Sequence, residues 1–192
     1  MDNSDQPNSR WYSGCGIYRH VWLTKTHPVH VKHWGVYVHD GKVEVDYENP
    51  TKQKVTVKNT WLDAAGKPAS IKKPRKWSCE DPYIYKVRTQ LIVAGKVVDE
   101  VETTTGCRDF KFDAKTGFWL NGKNFKLNGV CEHHDLGCLG AALNEDALHR
   151  KLTKLKAMGV NSIRTSHNPP APELLNMCDS MGLIVMDESF DM

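Results

Sequence analysis

Between Asn124 and Met192, short apolar runs alternate with stretches whose apolar residues recur at helical spacing, and this alternation constrains the fold more than any other feature of the chain. Leu127 to Val130, Ser162 to Thr165 and Leu183 to Met186 have the length and character of strands, and the stretches between them are long enough for crossover helices. Asn144 reads as an N-cap. Glu145 and Asp146 place negative charge on the first turn, and Leu148, Leu152 and Leu155 form an apolar stripe that Gly159 ends. Pro172 suits the start of a second helix, whose Leu174, Leu175, Cys178 and Met181 run to Gly182. A β-α-β-α-β order predicts parallel strands with right-handed crossovers, the opening of a parallel α/β barrel or an open sheet. Sites in such architectures are built at the carboxyl ends of the strands. The ionisable residues just after each run are therefore the candidates for chemistry.

Upstream the period is two. From Pro28 to about Thr105, Val29 and Val31 alternate, and Val36 and Val38 face Val43, Val45 and Tyr47 across Asp40-Gly41, a composition that favours a type I′ hairpin. Val55 and Val57 mark another strand. Tyr83, Tyr85 and Val87 lead into Leu91 and Val93, and Gly95-Lys96 is expected to turn the chain into Val97 to Thr104. Many short strands separated by turn signals predict a β-sandwich of immunoglobulin-like type. The basic segment from Ala64 to Lys76 lacks interleaved aromatics and reads as a solvated loop. Asn121-Gly122 predicts a hairpin between Phe118–Leu120 and Phe125–Leu127, placed to cap the bottom of a barrel.

Composition excludes several classes. A formal charge of +3, from 26 basic and 23 acidic residues, argues against a nucleic-acid partner or an anionic membrane surface. The six cysteines contain no Cys-x-x-Cys spacing, so neither a zinc knuckle nor a disulfide framework is indicated. No apolar run is long enough to span a bilayer, and the polar start Met1 to Arg10 does not resemble a signal peptide. Ile17 to Leu23 reads as a strand with no partner before it, and Leu183 to Met186 as a parallel strand close to the last residue. Both suggest a piece of something larger.

Three polar clusters follow the three runs. In Glu132-His133-His134-Asp135, neighbours on an extended segment point to opposite faces, which disfavours both histidines on one metal ion. A strand-end histidine bonding a polyhydroxylated ligand and a satisfied structural histidine both remain open readings. In Arg164-Thr165-Ser166-His167-Asn168, the fixed charge of Arg164 is placed to pair with a carboxylate elsewhere in a barrel. Ser166 and His167 lack the turn of a serine hydrolase. Of Asp187 and Glu188, alternation lets at most one face a central pocket. Asn144-Glu145 sets a carboxylate beside an amide, as hydrolytic sites can, but opens a helix, so capping is the better reading.

On these residues the chain resembles glycoside hydrolase family 2, most nearly its bacterial β-galactosidase-like members. SRWYSGCGIYRHVWL resembles the last strand of the family's N-terminal jelly-roll sugar-binding domain (residues 1–27). PVHVKHWGVYV through VDEVETTTGCRDF resembles its immunoglobulin-like sandwich (28–107), and GFWLNGKNFKLNGVCEHHDLG with NSIRTSHNPPAPELLNMCDSMGLIVMDESFDM resembles the opening of its (β/α)8 catalytic barrel (108–192). The resemblance implies a fragment of a retaining β-glycosidase in which two glutamates, on later barrel strands, flank the bond. No catalytic residue is expected in this chain, and the isolated chain is expected to be inactive. Arg164 matches the arginine that orients the nucleophile, His133 and His167 match sugar-contacting histidines, and Asp187 is a further substrate-binding candidate. Cys131-Glu132-His133-His134 stands where the family often has Asn-Arg-His-Glu, and a strand and loop are expected to be missing between Ser70 and Ile71. The expected partner is a β-linked oligosaccharide or glycoside, with no nucleic acid, membrane, metal or cofactor, although a divalent cation in the parent stays open. A homo-oligomeric parent and a self-associating fragment are expected, in a bacterial cytoplasm or periplasm. The alternative is a non-catalytic carbohydrate-binding or assembly module.

Overall fold

The computed structural model describes residues 16–189; Cys15 and most of the expected jelly-roll stretch lie outside the described residues. Two sheets build the sandwich. Strands β1 (His30–His39) and β2 (Lys42–Glu48) form an antiparallel pair, and β3 (Val55–Leu62), β4 (Tyr85–Val93) and β5 (Lys96–Thr105) form a three-stranded sheet in that order. The register is the expected one, with Val36 opposite Val45 and Val38 opposite Val43. Asp40 and Gly41 both have positive φ, +47° and +73°, which a type I′ turn demands. The next hairpin turn falls one residue earlier than expected. Ala94 and Gly95 carry its positive φ values and Lys96 already pairs with Val93, because the strand twist selects the two-residue turn that closes this register.

Alternation places one face of each strand between the sheets. Along β4 the odd positions from Tyr85 to Val93 are buried, and Val29, Val31, Leu91 and Val93 form the centre of this core. The backbone N–H of Val31 donates to Asp99 Oδ2 at 2.8 Å, tying β1 to β5. Residues 63–84 carry only an isolated bridge between Leu62 and Pro68, and the basic segment is the loop expected of it. Arg75 there forks onto Asp81, at 2.8 and 2.6 Å, and lies over the Tyr83 ring.

A second antiparallel unit follows: β6 (Phe110–Asp113), β7 (Gly117–Leu120) and β8 (Lys123–Asn124). The Asn121-Gly122 turn forms, but its return strand stops at Asn124. The Phe125 N–H still donates to Phe118 O at 2.9 Å, and its ring packs beside Leu120 and Phe118. Ile17 to Leu23 is likewise not a strand. No described strand pairs with it, and Ile17, Val21, Trp22 and Leu23 are exposed.

The last unit is parallel: β9 (Gly129–Glu132), α1 (Glu145–Ala157), β10 (Ser162–Thr165), α2 (Pro172–Met181) and β11 (Ile184–Met186), with β10 central. The first strand sits two residues later than expected, which carries Cys131 and Glu132 into the sheet. Asn144 caps α1 by accepting from the Ala147 N–H at 2.8 Å, and Gly182 ends α2 at φ +74°. Leu148, Leu152, Ile163, Cys178 and Leu183 form the core between helices and sheet. Each buried leucine there contributes roughly 1.5–3 kcal/mol by leaving water.

The antiparallel and parallel regions meet at the amino ends of the parallel strands. Trp77, 1 % exposed, packs with Leu120 and Ile184 and donates its indole N–H to Asp179 O at 2.7 Å. Lys156 donates from the last turn of α1 to Cys79 O at 2.9 Å and to Met181 O, joining both regions to the end of α2. A Cβ on Gly182 would lie 2.4 Å from Cys79 O, so only glycine fits this close approach. With the amino ends occupied in this way, the carboxyl ends of the strands are left for a site.

Candidate functional site

Strand alternation sorts the polar residues into two groups. Val130, Ile163 and Val185 pack toward the helices, so Cys131 and Arg164 project from the opposite face. On that face Arg164 Nε donates to Glu188 Oε1, and Arg164 Nη2 lies 3.5 Å from His167 Nδ1. His167 Nδ1 is 3.4 Å from Glu188 Oε2, and the His133 ring stands edge-on to His167 with centroids 5.7 Å apart. Arg164 Nη1 also points at Cys131 Sγ, at 3.6 Å. The structure thus brings Arg164, His133, His167 and Glu188 together at the carboxyl ends of three parallel strands.

Asp187 does not join them. It stands on the helix-facing side of the sheet, where Thr165 Oγ1 lies 3.5 Å from its Oδ1, and the Glu188 N–H donates to the same threonine oxygen at 2.9 Å. Glu188 is the carboxylate that meets Arg164, and sequence reasoning passed over it. The run Ile184-Val185-Met186 is apolar at every position, so nothing in it says which parity faces the helices, and the choice between Asp187 and Glu188 depends on that parity. Cys131 was missed as well, because the strand was placed too early.

The helix-facing group is also ordered. Glu132 pairs with Lys151 of α1, and Lys151 donates further to Asp135 O at 3.1 Å, which fixes the turn carrying the two histidines. His134 meets Asn168 at 3.3 Å and the Tyr18 ring at 5.6 Å, beside a cavity of about 60 Å³ that His133, Arg19, Asp135 and Pro170 also line.

Electrostatics differ between the groups. The Arg164 guanidinium is held firmly charged by its bond to Glu188. The Ser166 hydroxyl and Arg164 lie beside the Cys131 sulfur and pull its thiol below the ordinary value. Burial, with the Arg19 charge, holds His134 below the usual imidazole range. At the seam, burial pushes the Cys79 thiol up to about 11, and in the helical core the Cys178 thiol up to about 12. Among the described residues, no three ligand atoms of the strand-end group lie close enough to hold a metal ion; such a trio occurs only at His20, Glu145 and Glu173. Chemically, the strand-end face offers a fixed cation, two imidazoles and a carboxylate. That set suits the orientation of an anionic group and hydrogen bonding to hydroxyls.

Comparison with known proteins adds an independent finding. Residues 26–108 match the family model "Glycosyl hydrolases family 2", and residues 113–190 match "Glycosyl hydrolases family 2, TIM barrel domain". A β-galactosidase of Bacteroides ovatus is 46% identical over 224 aligned positions, covering 100% of this chain and 26% of the relative. A β-glucuronidase of Bacteroides fragilis is 38% identical over 122 positions, covering 63% of this chain and 18% of the relative. The crystal structure of a β-glycosidase from Bacteroides vulgatus superposes with a TM-score of 0.88 at 36% identity, over 94% of this chain and 26% of that one. The chain therefore spans about a quarter of the length of such relatives.

Proposed function

Because the chain belongs to glycoside hydrolase family 2, we propose that it provides the support sandwich and one wall of the sugar pocket of a retaining β-glycosidase. Residues 28–107 form the sandwich and residues 108–192 open the catalytic barrel, with a β-linked galactoside as substrate class. The observation that carries this reading is the convergence of Arg164, His167 and His133 on one face at the strand ends. A retaining mechanism needs two carboxyl groups about 5–5.5 Å apart, one attacking the anomeric carbon and the other donating a proton to the leaving oxygen. Arg164 already holds a carboxylate, Glu188, in the manner that would orient a nucleophile and keep it ionised. His133 and His167 would hydrogen-bond the sugar hydroxyls. The barrel strands that supply the two glutamates are assigned to the parent enzyme.

The β-galactosidase of Bacteroides ovatus, the most similar relative named above, supports galactose over glucuronic acid as the sugar. Calorimetry with a β-galactoside is expected to show weak binding to this chain that His133→Ala and His167→Ala each abolish, and the chain alone is expected not to hydrolyse a nitrophenyl β-galactoside. Hydrolysis by the chain, or sugar binding indifferent to both substitutions, would overturn the assignment.

A further inference from the structure

A second cluster of ligand atoms is assembled from three segments far apart in the sequence, and it shares no residue with the strand-end group. His20 Nε2 lies 3.4 Å from Glu145 Oε1 and 4.0 Å from Glu173 Oε1, and the three donor atoms all fall within 4.8 Å of one another. Glu145 is the first residue of α1, and Glu173 the second of α2. His20 is delivered by a segment that is itself anchored. Arg19 Nη2 donates to Pro169 O at 2.6 Å, Arg19 Nη1 to Pro170 O at 3.2 Å, and the Leu143 N–H donates to Tyr18 O at 2.9 Å. The histidine therefore reaches the two helix ends on a fixed backbone.

The charge balance here is unusual for the chain. Elsewhere, the carboxylates of Asp81, Glu102, Glu132 and Glu188 each have a lysine or arginine partner. Among the described residues, the only ion-pair partner of Glu145 or Glu173 is His20. Two carboxylates and one imidazole thus crowd a single point, with Glu173 only 18 % exposed. Two helix N-termini offset part of the repulsion; a dication placed among the three atoms would remove it.

We infer that His20, Glu145 and Glu173 form a binding site for a divalent transition ion, with zinc the best match. One imidazole and two carboxylates are borderline donors of the kind that zinc takes, with water completing the coordination. Zinc–nitrogen and zinc–oxygen bonds of about 2.0–2.1 Å put tetrahedral ligands roughly 3.3 Å apart. The His20–Glu145 pair already has that separation, and Glu173 needs to approach His20 by less than about 1 Å. Calcium and magnesium, which prefer larger all-oxygen sets, fit the imidazole poorly. Bound zinc would clip the segment around His20 to the starts of both helices, and so brace the Pro169–Pro170 turn that follows His167.

Calorimetric titration of zinc into the metal-stripped 192-residue chain tests this directly, with Trp22 as a second reporter because its ring lies 5.7 Å from that of His20. One zinc per chain is expected, and cobalt, a paramagnetic stand-in, should quench Trp22 fluorescence. His20→Ala and Glu173→Gln are each expected to weaken zinc about tenfold or more, since even outer-shell changes at metal sites cost that much. The surface control His149→Ala should leave binding unchanged. Circular dichroism confirms that each variant is folded, and Glu145→Gln supplies a further variant should His20→Ala unfold. Absence of zinc binding by the folded chain, or zinc affinity unchanged in the folded His20→Ala and Glu173→Gln variants, overturns the site. Calcium binding that zinc does not displace overturns the choice of ion.

Discussion

The antiparallel sandwich and the parallel unit bury apolar surface with strands of very different length. Strands β1 to β5 run to 7–10 residues, while β9 to β11 have 3 or 4. In the sandwich, one face of each strand turns inward, buried along β4 and half-buried along β2 and β5, and the other carries partnered charges such as Arg88 and Glu102, so polarity is spread along the strand. In the parallel unit β10 is mostly buried, and its polar residues are pushed to the strand ends. The difference follows from coverage. A sheet with one solvated face tolerates charge at every second position, whereas a sheet covered by helices tolerates it only where the strands emerge. Concentrating ionisable groups at one rim is what makes the parallel unit the candidate site.

The sharpest way to break that contrast is to cut the seam. Trp77→Ala removes the buried ring between the sandwich, the hairpin and α2, together with its bond to Asp179 O, and is expected to cost about 3–5 kcal/mol. Chemical denaturation should then resolve two transitions where the unsubstituted chain shows one; a single transition at unchanged denaturant concentration would show that the two regions do not depend on this contact.

A smaller effect separates the regions by their local signals. Asn144→Ala removes the α1 cap and is expected to cost about 1 kcal/mol, felt as easier local opening of the parallel unit. Hydrogen exchange should show faster amides in α1 and unchanged protection in β4, and equal loosening of both would contradict the division.

The smallest effect belongs to the sandwich side. Arg75 bonds to Asp81 and holds its carboxyl below the ordinary value of 3.8. Because the folded pKa is depressed, the pair's contribution is present above that value and is lost as pH falls through the lower folded one. Asp81→Asn should therefore lower the melting temperature slightly at neutral pH, with the difference from the unsubstituted chain vanishing in strong acid. A difference that persists there would mean the pair acts through packing, not charge. Both groups are exposed, so the effect is small at any pH.

Much of this molecule is legible in one dimension. Period-two valines and the pairs Asp40-Gly41 and Asn121-Gly122 predict the hairpins, because twisted strands need turns with positive φ and these residues supply it at low cost. Asn144, Pro172, Gly159 and Gly182 bound the helices for equally local reasons, since caps satisfy backbone groups within one turn. The polar clusters that hold Arg164, His133 and His167 were legible as candidates because they follow the apolar runs, and the resemblance to the family singled out these three within them.

Other features depend on partners distant in sequence. Ile17 to Leu23 has strand composition and makes no described pairing, and Phe125 enters the packing beside Leu120 across from the sandwich loop that carries Trp77. The choice of Glu188 over Asp187 rests on which side of β11 the helices cover, and the meeting of His20 with Glu145 and Glu173 on how three remote segments dock. The sequence by itself determined the elements, their order and the end of the sheet where polarity gathers, because periodicity, caps and turns act within a few residues. Tertiary structure decided which residue of each polar pair lies on the Arg164 face, where the two regions join and which carboxylates share a histidine, because those outcomes depend on packing between segments that no local rule relates.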